Sequence, residues 1–169
     1  MSKASPSAPG IAKTRRTFHI VASRFNTQYV DGLIDHVKEE LGVLAPHGTI
    51  SVHRVPGSFE IPVVAQELAI QNKADAIIAC GVILQGETDH AQNLSRSVTD
   101  ALQHIAVEHS VPVINVVLSF ENEDQARARC LENKINRGTE AARAAVEIAN
   151  VLSDLRRKQG AAVSKPPSE

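Results

Sequence analysis

Hydrophobic and polar positions along this chain follow two periods, the two-residue repeat of strands and the longer repeat of helices. Short β-branched or apolar runs predict four strands, at 17–22, 49–55, 76–84 and 111–118. Apolar residues at helical spacing follow each strand; after the first they are Val30, Leu33, Ile34, Val37 and Leu41. Two helices close the chain, a short one near 123–130 and a long one over 139–157. The pattern therefore predicts the element order βαβαβαβαα.

Strands that alternate with helices at this spacing pair in parallel through right-handed crossovers. The near-continuous apolar character of 76–84 is typical of a central strand that helices cover on both faces. The predicted class is α/β, a flavodoxin-like three-layer αβα sandwich with a four-stranded parallel sheet. In such sheets ligands bind beyond the carboxyl ends of the strands, where the strand order reverses.

Length and composition indicate one domain, because 169 residues with 43% hydrophobic content suffice for one compact core. The ends, 1–14 and 159–169, are rich in Pro, Ser, Ala and Gly, so we expect two flexible tails around a single domain at 15–158. Cys80 and Cys130 are too few for a disulfide framework or a cysteine-based zinc site. A cytoplasmic protein is expected.

The charge balance restricts the class of partner. With 18 basic and 19 acidic residues the formal net charge is -1, which argues against nucleic acid and anionic membranes and favours small-molecule ligands. No apolar run reaches membrane-spanning length. Six of the seven histidines show no recurring ligand spacing, so we expect no metal site and treat them as structural or surface residues.

Each predicted strand is followed directly by a polar or glycine-bearing segment, namely 24–26, 57–60, 86–90 and 119–122. Loops always lie at that edge of an α/β sheet, so their presence alone is weak evidence for a site. Phe25 and Phe59 could stack on a flat heterocycle or could cover the sheet edge. Glu60 could bind sugar hydroxyls or could occupy the first turn of its helix.

The third of these segments carries the most chemistry. Gly86 permits close backbone approach, and a helix that begins at Thr88 would offer free N–H groups to a phosphate, although an ordinary helix start fits the spacing equally well. Glu87 and Asp89 oppose anion binding by their charge. His90, in the first turn, is the candidate general acid or base, against the more common reading of a structural or exposed histidine.

The arginines of the predicted short helix and the cysteine of the central strand each have a functional and a structural interpretation. Arg127 and Arg129 lie two residues apart on the predicted short helix, hence on different faces, so at most one of them points into a given site. The alternative is a solvated charged helix. Cys80 lies within the buried strand and is expected to fill space in the core rather than to act as a nucleophile.

Taken together, five segments closely resemble the lumazine synthase family. They are SRFN at 23–26, VPGSFEIP at 55–62, GVILQGETDH at 81–90, PVINVVL at 112–118 and ENEDQA at 121–126. The likeness is collinear from about residue 17 to residue 155, so only the ends of the chain fall outside it. The combination is specific although each piece alone is weak.

The resemblance implies a transferase of riboflavin biosynthesis that condenses 5-amino-6-(D-ribitylamino)uracil with 3,4-dihydroxy-2-butanone 4-phosphate, with no cofactor. It implies that His90 transfers protons. The implied pyrimidine and ribityl contacts are Phe25, Ser58, Phe59, Glu60, Val82, Ile83, Leu84, Asn115 and Arg137. The implied phosphate contacts are the backbone at Glu87 and Thr88 and the guanidinium of Arg129.

The resemblance also implies a homo-oligomer, a pentamer or a pentamer-based shell, whose active sites lie between subunits. Asn115 and the helix of Arg129 would come from the adjacent chain, and riboflavin synthase is a candidate further partner. Three positions depart from the family: Gln85 replaces a basic residue, Asn115 an aromatic, and Arg137 a lysine.

Two other functions compete with catalysis. A flavodoxin-like carrier of flavin or lumazine would keep the pocket without turnover, and fold alone does not exclude it. His90 together with Arg129 favours an enzyme, because a carrier needs no base and phosphate clamp together. A receiver-type signalling domain fits less well, because it needs acidic residues where this chain has Ser23 and Arg24.

Overall fold

The computed structural model describes residues 7–86 and 89–163 and has the predicted order of elements. The elements are β1 (Thr17–Ser23), α1 (Thr27–Leu44), β2 (Thr49–Val55), a single 3-10 turn (Ser58–Glu60), α2 (Ile61–Ile70), β3 (Ala76–Leu84), α3 (His90–His109), β4 (Val113–Phe120), α4 (Glu123–Cys130) and α5 (Arg137–Val163).

The four strands form one parallel sheet in the order β2-β1-β3-β4, which confirms the predicted flavodoxin-like class. The chain moves from β1 outward to β2 and then crosses to β3 on the other side of β1. The strand order therefore reverses between β1 and β3, and the crevice outside their carboxyl ends is where a ligand is expected. Strands β2 and β4 are the two edges.

Alternate residues of the strands supply two separate cores. On one face Phe18, Ile20 and Ala22 of β1 pack with buried residues of α1, α4 and α5. On the other face Val21 of β1 packs with buried residues of α2 and α3. Because β1 and β3 carry buried residues on both faces, the sheet is the middle of three layers, as the sequence predicted.

The ends of the fold differ from expectation in detail. Helix α5 begins at Arg137 and runs to Val163, beyond both the predicted helix end near 157 and the predicted domain end at 158. Its last turns are rich in alanine, and the next proline along the chain, a residue that stops helices, is Pro166. Before β1, Ala12 is buried and donates its amide to the Leu44 carbonyl at 2.7 Å. The domain boundaries themselves stay a prediction.

A polar network joins the amino ends of β1 and β3 to α5. The guanidinium of Arg16, whose side chain is 10% exposed, pairs with Asp75 at 3.1 Å. Arg16 also donates to the Asn150 side chain at 3.0 Å, and Asp75 accepts the Thr17 amide at 2.7 Å. Removing Asp75 thus leaves a nearly buried cation without its counter-ion and the Thr17 amide without its acceptor.

We expect Asp75→Ala to lower the free energy of unfolding by about 2–3 kcal/mol, because removal of the carboxylate leaves the Arg16 guanidinium unpaired where little solvent reaches it. Asp154→Ala is the control, because Asp154 pairs with Arg157 where the two side chains are 63% and 77% exposed. That change should cost about 0.5 kcal/mol or less. Denaturant titration measures both, and equal losses would show that shielding of the Arg16 pair is unimportant.

Both cysteines lie in the core, as the sequence predicted for Cys80. Burial raises the pKa of the Cys80 thiol from 9.0 to about 12, and burial likewise raises the pKa of Cys130 to about 12. At pH 9 the folded protein therefore keeps both thiols protonated, whereas the unfolded chain has them about half ionised.

The native protein is accordingly expected to react slowly with a thiolate-selective alkylating reagent at pH 9, and the urea-unfolded protein rapidly. Mass spectrometry of the two samples measures the difference. Rapid labelling of the native protein at either cysteine would contradict this account of the core.

Candidate active site

The loop after β1 crosses the crevice at which the strand order reverses. The ladder between β1 and β3 ends at the pair Ala22 and Cys80. Beyond it, the side-chain amide of Asn26 donates to the Val82 carbonyl at 2.7 Å, where a further backbone rung of β1 would otherwise stand. Asn26 has φ 56°, a left-handed conformation that asparagine tolerates better than most residues. The loop is thereby fixed against β3.

Phe25 precedes Asn26, and its ring is 71% exposed. It contacts the turn after β2, because a Cβ atom added to Gly57 would lie 3.3 Å from the Phe25 ring and 3.1 Å from Glu60 Oε2. Of the two local readings of Phe25, its exposure favours a ring available for stacking over one that covers the sheet. Phe59 is similarly exposed at 66%.

The 3-10 turn closes on itself through Glu60. Its carboxylate oxygen Oε2 accepts the Gly57 amide at 2.9 Å, so one oxygen is committed to holding the turn. Ser58 is buried, and a Cβ atom on Gly81 of β3 would lie 2.7 Å from its Oγ. A side chain at position 81 would collide with Ser58, so glycine at this position allows the turn to pack closely against β3. There Val82 and Ile83 are buried and Leu84 is half-buried.

Helix α3 begins at His90, two residues later than the sequence predicted. His90 is exposed at the rim of the sheet, and Asp89 before it makes no side-chain cap bond. Glu87 and Thr88, the predicted phosphate-binding backbone, lie outside the described residues. The structure thus places Phe25, the turn at 57–60, the end of β3 and the start of α3 at the carboxyl end of the sheet.

A second group of predicted residues lies elsewhere, around a cavity of about 770 Å³ beside the edge strand β4. Arg129 and Arg137 line this cavity together with Lys134, against one acidic side chain, Glu132. Apolar walls come from β4 and the segment after α4, including Val117, Leu118, Phe120 and Ile135. The cavity can therefore accept an anionic ligand that also carries apolar or aromatic parts.

Of the two arginines of α4, Arg129 is half-buried and lines the cavity, whereas Arg127 is exposed and does not. Arg137 stands at the start of α5 and forms an ion pair with Glu140. Sequence reasoning placed this helix start at Thr139 and did not identify Lys134 as part of the site. The asparagine at 136, a preferred N-cap residue, is the signal that would have located the helix start, whereas no local signal marks Lys134.

Asn115 lies in the middle of β4, opposite Ala79, rather than at the rim. Its Nδ2 donates to Thr99 Oγ1 at 3.1 Å, and its Oδ1 accepts the Val117 amide at 2.9 Å. The side chain therefore satisfies an amide on the open edge of the sheet, while staying exposed.

The two groups do not line one cavity, as far as the described residues extend, although Leu84 of the first group pairs in register with Phe120 of the cavity wall. None of Phe25, the 57–60 turn, Val82, Ile83, Leu84 and His90 lines the cavity that contains Arg129 and Arg137. The first group lies beyond the ends of β1 and β3, and the second beside the β4 edge. Each chain thus carries two separate groups of candidate residues.

Fold and site together define a class: a flavodoxin-like α/β protein with a small-molecule site at the carboxyl end of its sheet. Within residues 7–86 and 89–163, no three His, Cys, Asp or Glu side chains cluster as a metal site. No described helix combines the length and apolarity needed to span a membrane.

Comparison with known proteins identifies the family. A sequence model described as 6,7-dimethyl-8-ribityllumazine synthase matches residues 15–153. Proteins of that name are similar to this chain: one from Paraburkholderia phymatum is 41% identical over 83% of this chain and 80% of its own length. One from Azoarcus sp. is 40% identical, over 80% and 85% respectively. One from Burkholderia multivorans is 42% identical, over 80% and 77%. The chain belongs to the 6,7-dimethyl-8-ribityllumazine synthase family.

Proposed function

We propose that this protein catalyses the reaction of its family, a transferase reaction in riboflavin biosynthesis. It condenses 5-amino-6-(D-ribitylamino)uracil with 3,4-dihydroxy-2-butanone 4-phosphate and releases 6,7-dimethyl-8-ribityllumazine, phosphate and water. The observation that carries the proposal is the division of the chemistry-bearing residues into two half-sites, one suited to a flat ring and one to a phosphate.

The first half-site receives the pyrimidine. The exposed ring of Phe25 stacks on the pyrimidinedione, and the ends of β3 at Val82, Ile83 and Leu84 line the same pocket. Backbone groups at Ser58 and Phe59 orient the ring, because the tight contact at Gly81 holds this turn against the sheet. Glu60 accepts hydrogen bonds from the ribityl hydroxyls through the carboxylate oxygen that does not bind the Gly57 amide.

The second half-site binds the phosphate. The guanidinium of Arg129 offers paired donors to the phosphate oxygens, and the backbone at Glu87 and Thr88 of the facing chain completes the cradle. Arg137 from this cavity and Asn115 from the exposed edge of β4 contact the pyrimidine. Since these groups lie at the open β4 edge, a neighbouring chain can bring its own first half-site against them.

The active unit is therefore a homo-oligomer, in which each site is built by two adjacent chains. The pentamer, free or built into a larger shell, is the assembly we propose, and light scattering gives its mass. Two buried protonated thiols suit a reducing cytoplasm. Riboflavin synthase, which consumes the product, is the candidate partner.

In this arrangement His90 is the proton carrier. The 5-amino group of the pyrimidine attacks the ketone, and water leaves to give an imine. Phosphate is then eliminated, and the enol that remains tautomerises to a ketone. The ribitylamine nitrogen attacks this carbonyl, and loss of a second water completes the second ring. Each step moves protons at nitrogen, oxygen or carbon, which an exposed imidazole at the rim can accept and return. The remaining contribution of the protein is to hold the two substrates together.

Mixing the purified protein with both substrates in the presence of a chelator tests the proposal. We expect fluorescence of 6,7-dimethyl-8-ribityllumazine to appear together with an equal amount of free phosphate. Tight binding of riboflavin or of the lumazine, with no product formed over several hours, would instead establish a carrier.

A further inference from the structure

The segment between α4 and α5, residues 131–136, forms one wall of the cavity beside β4. Glu132, Lys134 and Ile135 of this segment line the cavity, and so does Arg137 directly after it. The segment lies between the end of α4 at Cys130 and the start of α5 at Arg137, outside both helices. Backbone hydrogen bonds from α4 reach only its first residues, where the Leu131 and Glu132 amides donate to the Arg127 carbonyl, so other contacts must fix the remainder.

One buried side chain closes this segment. Asn136 is 2% exposed, and its Nδ2 donates to the Glu132 carbonyl at 3.0 Å. Its Oδ1 accepts the Gly138 amide at 2.8 Å and the Thr139 amide at 3.4 Å, which caps α5. A primary amide supplies donor and acceptor from one group, whereas a carboxylate supplies only the acceptor and alanine neither.

The capped end of α5 is packed tightly on α1. A Cβ atom on Gly138 would lie 2.5 Å from the Leu33 carbonyl oxygen and 3.0 Å from the His36 Cβ. There is no room for the start of α5 to shift towards α1. Asn136 thus links the wall at Glu132 to a helix start whose position is fixed by the core.

We propose that Asn136 is a positioning residue for substrate binding, which holds Lys134 and Arg137 on the cavity wall where they meet the pyrimidine half of the site. This inference rests on the proposed function. Asn136 is buried and does not itself touch the substrate. An interaction that is equally strong in the bound substrate and in the transition state affects KM more than kcat. Loss of the Asn136 hydrogen bonds should therefore weaken substrate binding and leave the chemical step nearly unchanged.

Steady-state kinetics of three variants test this role. Asn136→Ala removes all three side-chain hydrogen bonds, and Asn136→Asp keeps the cap on Gly138 and Thr139. Asn133→Ala changes an exposed asparagine of the same segment. We expect Asn136→Ala to raise KM for the pyrimidine about tenfold and to change kcat less than about threefold. Asn136→Asp should lie between it and the unchanged protein, and Asn133→Ala should match the unchanged protein.

Unfolding temperature and particle mass are measured on the same samples. A lowered unfolding temperature with both KM values unchanged would overturn the proposal, because Asn136 would then stabilise the fold without positioning the wall. If Asn136→Ala fails to assemble, Asn136→Asp decides: a KM for the pyrimidine above that of the unmodified protein, with kcat little changed, supports the role, and an unchanged KM or failed assembly refutes it. Absence of product from the unmodified protein would refute the proposed function instead.

Discussion

Replacing His90 by glutamine is expected to lower kcat by about 100-fold or more, because general acid–base catalysis by a placed side chain contributes roughly that much. Glutamine keeps hydrogen-bonding capacity and approximate size but does not accept and return a proton. His90 is exposed at the start of α3, so the change removes no core contact and the fold should be unaffected. Product fluorescence under saturating substrates measures kcat.

His104→Gln is the matched control. His104 lies on the same helix, and its ring is 78% exposed beside Glu108. Its kcat should equal that of the unmodified protein. If His90→Gln lost less than about threefold in kcat, a positioned base at this residue would be excluded, and the common reading of an exposed surface histidine would stand.

Arg129→Ala is expected to raise KM for the butanone phosphate about 100-fold, the equivalent of about 2–3 kcal/mol for a lost charge-assisted contact. Affinity for a pyrimidine analogue should change little, because the pyrimidine binds mainly to the half-site of the neighbouring chain. Arg129 is half-buried in the wall of the cationic cavity, so its charge acts where solvent screens it less. Kinetics with each substrate varied in turn measure the two effects.

Arg127→Ala removes the same charge from the same helix but from an exposed position outside the cavity. We expect its kinetics to match the unmodified protein. Equal losses for both ligands in Arg129→Ala, or equal losses in the two variants, would refute a specific phosphate contact and leave only a general effect of charge.

Local periodicity predicted the elements because burial of one or both faces of a helix or strand leaves a repeat of apolar residues that is visible over a short stretch of sequence. The apolar run at 76–84 became the central strand for that reason. The strand order could not be obtained this way, since it depends on pairing between distant segments. Periodicity is less accurate at the ends of elements. It predicted that α5 begins at Thr139, whereas the helix begins at Arg137, where Asn136 caps it.

The candidate site was predictable only in part. Physical reasoning identified the polar loops and His90, but the roles of individual residues came from the family resemblance. The separation of Phe25 from Arg129 follows from the sheet order and was expected only through that resemblance. The roles of Lys134 and Asn136 could not be predicted from the sequence, because their placement depends on how the chain turns between α4 and α5.

The structure describes the surroundings of Asn115 and Gln85, two positions at which the resemblance implied a departure from the family. Asn115 binds Thr99 and the Val117 amide, so it satisfies the edge of β4 as an aromatic side chain could not. Gln85 donates its backbone amide to the Phe120 carbonyl at 2.8 Å. Its side chain lines a polar cavity of about 400 Å³ with Arg96 and Asp100, where a neutral amide adds no further charge.

The central claim is that each active site uses the first half-site of one chain and the second half-site of its neighbour. Co-expression of the His90→Gln and Arg129→Ala chains in equal amounts tests it most directly, at a butanone phosphate concentration where each parent is nearly inactive. Random mixing in a ring gives intact His90 facing intact Arg129 at about a quarter of the sites. The account predicts about a quarter of the unmodified activity, whereas activity no greater than the average of the two parents would contradict it.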